Sequence, residues 1–175
     1  MPTIGVAVAI PEPWATELQD YRTSVGDLTA TQIPTHITLI PPVEVEADDL
    51  ALVEEHLAAV AGTVDSFRIH LRGTGTFRPV SPVVFVSVVE GISECELLAQ
   101  AVRRGPLAIE LGFPYHPHVT IAHHLDDAQL DRAFTELANF ECEFASDHFA
   151  LYVHDDGAGW QPTREFALRT TTSSS

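Results

Sequence analysis

Apolar and polar positions follow two rhythms along this chain, one of period two and one of period 3.6, and they alternate repeatedly. Residues 3–10, "TIGVAVAI", form an apolar run of strand character that "PEP" stops. Trp14, Leu18, Tyr21 and Val25 then recur at helical spacing, which predicts an amphipathic helix over roughly 13–25. "PTHITLIPP" (34–42) reads as a second strand, ended by Pro41-Pro42. "ADDLALVEEHLAAVAG" (47–62) has acidic residues in its first turn and glycine at its end, a helix signature. "FRIHLRG" alternates as a strand, "TGTFRPVSP" reads as a loop, and "VVFVSVVE" (83–90) as a central strand. A helix from about 92 to 104 ends at Gly105-Pro106.

The second half of that order resembles the first. "YHPHVTIAHH" (115–124) predicts a strand and "DDAQLDRAFTELAN" (about 126–139) a helix. "FECEFA", "HFALYVHDD", a turn at "GAGW" and a last strand "REFALRT" follow. The connections are short, so the expectation is an α+β protein in which residues 1–170 form a single domain of two pseudo-equivalent lobes. Residues 171–175 are expected to be a disordered tail.

Composition narrows the classes. At 175 residues, 45% hydrophobic and 19% charged, the chain suits one globular unit, and no apolar run approaches a membrane span. The start, "MPTIGVAVAI", lacks a basic n-region and a small-residue cleavage site and reads as a strand. Cys95 and Cys142 form no metal-type pair or disulfide framework, which suits a structural role in a reducing cytoplasm. The net charge of −16 argues against a protein that holds nucleic acid by broad phosphate neutralisation. All nine basic residues are arginine, so a phosphate here would have to meet Arg, His, hydroxyls or backbone amides. No DNA or membrane partner is expected, and the chain is expected to act as a monomer.

The candidate chemistry lies in the second strand. His36 and Thr38 sit two apart between Ile37 and Leu39, so strand alternation puts both polar side chains on one face. One such pair is most simply a structural feature. However, His118-Val119-Thr120-Ile121 repeats the pattern 82 residues later, again with a proline one or two residues before the histidine and a helix after the strand. Two matched copies suggest two strands brought together with four polar side chains facing one cleft. Two imidazoles suit general acid–base chemistry on a phosphate: one, neutral, takes a proton from water or a hydroxyl, and the other, protonated, gives one to the leaving oxygen. An unperturbed imidazole pKa near 6.5 allows both forms around neutrality, and threonine hydroxyls can donate to non-bridging phosphate oxygens. The scheme needs no metal and no other cofactor.

With these residues the chain resembles the 2H phosphoesterases, the superfamily of 2′-5′ RNA ligases and 2′,3′-cyclic nucleotide phosphodiesterases. The likeness rests on "HITL" (36–39) and "HVTI" (118–121), on the flanking "PT…IPP" and "YHP", and on "GTFRPVSPVVFVSV" between them. It covers nearly the whole chain. The resemblance implies a bilobal fold whose two antiparallel sheets form a central V-shaped cleft, with the motifs at its floor and helices outside. It implies His36 and His118 as catalytic residues, Thr38 and Thr120 on the substrate phosphate, and no metal. It implies hydrolysis of a 2′,3′-cyclic phosphate on an RNA end or small nucleotide, with 2′-5′ ligation as the reverse. Sequence does not distinguish base from acid; the working assignment has His118 activate water and His36 protonate the leaving oxygen. Two departures are the acidity of the chain and "IAHH" after the second motif, where an arginine or lysine is often nearby.

Other residues carry weaker signals. Phe77, Arg78 and Tyr115 are candidate substrate contacts, since a base could stack on the rings and a phosphate meet the guanidinium. Strand alternation puts His124 on the face of His118 and Thr120 and turns His123 away. A zinc site of His116, His118 and His124 has no recognised ligand spacing. His56, His70, His148 and His154 read as structural, and Arg72, Arg103, Arg104 and Arg164 as solvated. The rival from another class is a non-catalytic nucleotide- or RNA-binding module of the same fold.

Overall fold

Along the first strand, β1 (Thr3–Ala9), Ile4, Val6 and Val8 are buried in one continuous core, whereas Ala7 belongs to a separate small cluster on the other side. Seven further strands follow, β2 (His36–Glu44), β3 (Phe67–Thr76), β4 (Val83–Glu90), β5 (His118–His123), β6 (Glu141–Ser146), β7 (His148–Asp155) and β8 (Gly159–Ala167). The computed structural model describes residues 1–27, 30, 33–112 and 114–170, and the predicted tail 171–175 lies outside them. The strands form one antiparallel sheet in the order β6-β3-β4-β5-β2-β1-β7-β8.

The four helices are α1 (Trp14–Val25), α2 (Leu50–Ala61), α3 (Ile92–Val102) and α4 (Asp127–Glu136). Leu18 and Val25 of α1, Val53 and Leu57 of α2, Cys95 and Leu98 of α3, and Leu130 and Ala133 of α4 join the same core as Ile4, Ile37 and Val119. One face of the sheet is therefore covered by helices, and the opposite face is left for the polar motif side chains. Helix α1 packs on β5 and α3 on β2, so each lobe's helix supports the other lobe's motif strand. Among the described residues no helix is long and apolar enough to cross a membrane. Cys95 and Cys142 are buried and unpaired, and burial pushes both thiols up to about 12.

The α+β, antiparallel expectation holds. The two predicted sheets are the halves β6-β3-β4-β5 and β2-β1-β7-β8, and they meet at β2 and β5 through a single register pair, Ile37 with Val119. The seam is narrow, so the halves diverge on either side of it.

Three element boundaries differ from the predictions. Strand β2 continues past Pro41 and Pro42 to Glu44, with two register shifts against β1 between Ile4 and Ala7. Its other edge is paired with β5 only at Ile37, so beyond that point a proline removes no ladder hydrogen bond there. Strand β3 extends to Thr76 because Thr74, Gly75 and Thr76 pair with Val86, Phe85 and Val84. Strand β8 begins at Gly159, so Trp160 is a strand residue paired with His154 and does not belong to the turn.

Candidate active site

The seam between β2 and β5 decides the arrangement of the motif residues. Because Ile37 lies opposite Val119 in an antiparallel pair, His36 falls opposite Thr120 and Thr38 opposite His118. The four polar side chains form a quadrilateral with the histidines on one diagonal and the threonines on the other. Diagonal positions in such a pair are roughly 7–8 Å apart, so a small anion can lie between the imidazoles. Beneath the quadrilateral Ile37, Leu39, Val119 and Ile121 are fully buried. Burial of such a side chain contributes roughly 1.5–3 kcal/mol, which anchors both strands against the helices.

Each imidazole is oriented in the same way. His36 Nδ1 lies 2.6 Å from the Pro34 carbonyl oxygen, and His118 Nδ1 lies 2.7 Å from that of His116. A carbonyl only accepts, so Nδ1–H donates in both rings and Nε2 is the nitrogen left for chemistry. Thr38 Oγ1 is 3.1 Å from His36 Nε2 and can donate to it. Burial is the main cause that holds both imidazoles below the usual histidine value. The carbonyl bonds act in the opposite direction, while nearby cationic groups reinforce the depression: Arg22 and His118 for His36, and His116 for His118. Without ligand, both rings therefore favour the neutral state at pH 7.

The surroundings of the two histidines differ. His118 stands in an aromatic wall, with Phe77 at 4.9 Å and Phe85 at 5.1 Å between ring centroids, and His116 at 5.8 Å. Phe85 reaches that position by lying across Gly75, where a Cβ would come within 2.6 Å of its ring. His36 instead lines a cavity of about 350 Å³, together with Thr38, Thr120, Pro34, Gly5 and Ala7.

Arg22 and His123 also line the cavity, and sequence reasoning missed both. Arg22 is almost fully buried, pairs with Asp27 at 3.3 Å and donates from Nη1 to the Ile33 carbonyl, bracing the segment that leads into His36. A signal existed, because Arg22 follows Leu18 by four residues and precedes Val25 by three on the apolar face of α1. His123 also lines the cavity, whereas His124 is not among the lining residues. This corrects the expectation from strand alternation. Thr120 pairs with Phe85 but Ala122 with the adjacent Val84, so a bulge at Ile121 reverses the facing of the residues beyond it. His124 sits past the bulge with φ 56°, its N–H donating to the Pro82 carbonyl.

The remaining candidates do not line the cavity beside His36. Phe77 packs edge-on against His118. Arg78 turns to the carboxylates of α4, at 2.8 Å from Asp131 and 3.6 Å from Asp127, and is not among the residues lining the cavity beside His36. The Tyr115 hydroxyl donates to the Thr38 carbonyl at 2.7 Å, a strut from the second lobe to the first motif, and burial pushes its pKa up. Among the described residues, metal-type donors gather at His70, Glu90 and Glu143, on β3, β4 and β6, where Arg68 already pairs with Glu143; none of the three lines the cavity.

Comparisons with known proteins bear on the family and the fold. The sequence matches the family described as the 2'-5' RNA ligase superfamily over residues 10–158. A Bacillus cytotoxicus protein named "Putative phosphoesterase" is 30% identical over 138 residues, covering 78% of this chain and 80% of that protein. The fold is similar to that of E. coli LigT crystallised with 3'-AMP, with a TM-score of 0.69 and 20% identity over 96% of this chain and 99% of that one. TT0787 of Thermus thermophilus is also similar, with a TM-score of 0.66 and 22% identity over 98% and 100%.

Proposed function

The chain belongs to the 2'-5' RNA ligase superfamily, and on that premise we propose that it hydrolyses 2′,3′-cyclic phosphates of small nucleotides or RNA ends with its own two histidines as acid and base. The observation that carries the reading is the diagonal pairing: two imidazoles oriented alike through Nδ1–H, each opposite the other motif's threonine. His118 Nε2 takes a proton from water, and the water oxygen bonds to phosphorus. The bond from phosphorus to one ribose oxygen breaks, its electron pair goes to that oxygen, and His36 Nε2 supplies the proton. The product is a phosphomonoester, and solvent resets the two rings. Thr38 and Thr120 donate to the non-bridging oxygens as charge builds on them.

The assignment of roles follows from the asymmetry of the surroundings. The leaving oxygen belongs to the bulk of the substrate, and the open cavity lies beside His36. His118, walled by Phe77 and Phe85, has need only of water. The acid must hold a proton although burial opposes it, and an anionic phosphate between the rings restores that proton by attraction. The same ring opening with a ribose 5′-hydroxyl in place of water, the bond from phosphorus to the 3′-oxygen breaking and His36 protonating that oxygen, gives a 2′-5′ link.

The test is turnover of 2′,3′-cyclic AMP in the presence of EDTA. His36→Ala and His118→Ala should each lower kcat by about 10²- to 10⁴-fold, the usual worth of a positioned proton-transfer group. Full activity in either variant, or loss of activity on chelation, would overturn the two-histidine scheme. Nucleotide binding without turnover in the wild type would identify a binding module.

A further inference from the structure

Resting on the nucleotide reading of the cleft, we infer that Trp160, with Tyr152, is the stacking platform for the base of a single nucleotide and the main determinant of substrate size. The basis is a lane of small residues that leads away from the motifs in one direction only. On the open face Thr38 pairs with Ala7 of β1, and Ala7 with Ala150 of β7. One step along, Gly5 pairs with Tyr152. Ala7, Ala150, Tyr152 and Trp160 form an apolar cluster separate from the main core, and Gly5, Ala7, Tyr152 and Trp160 all line the cavity that contains His36. In the opposite direction Phe85 and Phe77 fill the space.

Geometry favours a flat aromatic ligand. The Trp160 indole reaches from β8 across β7 and stands over Gly5, its ring 3.5 Å from where a Cβ would be. Strand spacing puts β1 about 5 Å from β2, and Gly5 lies two residues along β1 from Ala7, which faces Thr38, so the indole stands on the order of 10 Å from the seam that holds the phosphate. A group held at the seam through its phosphate therefore brings a ribose over Ala7 and its base to the indole. The cavity, about 350 Å³, is at the small end of ligand sites, which commonly run from ~300 to 1,000 Å³. It suits one nucleotide, and the net charge of −16 without a lysine offers little to a longer phosphate chain. Stacking tolerates any base, so the platform reads nucleotide size and aromaticity and not sequence.

Two measurements test this. Trp14, the other tryptophan, lies on α1 against Phe144, so a Trp14→Phe protein leaves Trp160 as the only indole reporter. Titration with 2′-AMP should quench its fluorescence saturably, and inorganic phosphate should not. In steady-state assays Trp160→Ala should raise KM for 2′,3′-cyclic AMP roughly 5- to 100-fold, the cost of losing one base–aromatic stack, and leave kcat within about twofold. KM for the base-free substrate glycerol 1,2-cyclic phosphate should be unchanged, and Trp160→Phe should restore most of the lost affinity. An equal effect on both substrates, or none on either, overturns the platform and leaves the phosphoesterase reading standing. If neither substrate is turned over, that reading fails, and the quenching alone then decides the platform: saturable quenching supports it and none overturns it.

Discussion

Replacing His36 or His118 by glutamine should flatten the acid side of the pH–stability curve, whatever the substrate. Burial holds both imidazoles below 6.5 in the folded protein, while the unfolded chain titrates near 6.5. As pH falls through 6.5 the unfolded state therefore binds protons that the folded state refuses, and stability falls with it. The contribution is fully present above pH 6.5 and is lost progressively as pH drops towards the folded values. Within that window each ring contributes a slope of at most about 1.4 kcal/mol per pH unit. For a chain of this length that corresponds to roughly 3–6 °C of Tm per unit for each ring. Thermal melts of wild type, His36→Gln, His118→Gln and the double variant, taken every half unit from about pH 8 to pH 5, isolate the effect as a difference in slope. Each single variant should lose part of the slope and the double variant the most. Changes in Tm at pH 8 report packing and do not bear on the point. Slopes equal to wild type in both single variants would show that the rings are not held neutral by the fold, and the electrostatic picture of the seam would fail.

Two other perturbations probe the supports of the first motif. Tyr115→Phe removes the hydroxyl that donates to the Thr38 carbonyl, which should cost about 0.5–1.5 kcal/mol in urea unfolding and lower kcat on a cyclic nucleotide about tenfold through misplacement of Thr38; unchanged values of both would dismiss the strut. Arg22→Leu takes the guanidinium from the buried Asp27 carboxylate and from the Ile33 carbonyl and should cost about 3–5 kcal/mol in the same assay. A loss below about 1 kcal/mol would mean that the pair is not coupled to folding.

The features legible in the sequence were those that depend on neighbours along the chain. Period-two alternation puts His36 with Thr38 and His118 with Thr120, and the aliphatic residues between and after them, Ile37, Leu39, Val119 and Ile121, are buried on the other face. The four helices and the repeated order of elements followed from periodicity and end signals, because those are local properties of the backbone. Arg22 was legible too, as a charge on the apolar face of α1, although its role at the cavity was not.

Tertiary structure decided everything that needs two distant segments at once. The diagonal placing of the histidines depends on the single pair Ile37–Val119, which no spacing within either strand specifies. The bulge at Ile121 exists only against β4, and it exchanged His123 for His124 at the cavity. Trp160 reads as part of a turn because of the glycines beside it, yet pairing with β7 draws it into a strand and over Gly5. The physical reason is common to all three. A strand's faces are set by its own covalent geometry, but its register, and so which faces meet, is set by long-range burial and ladder hydrogen bonds that form only when the sheet does.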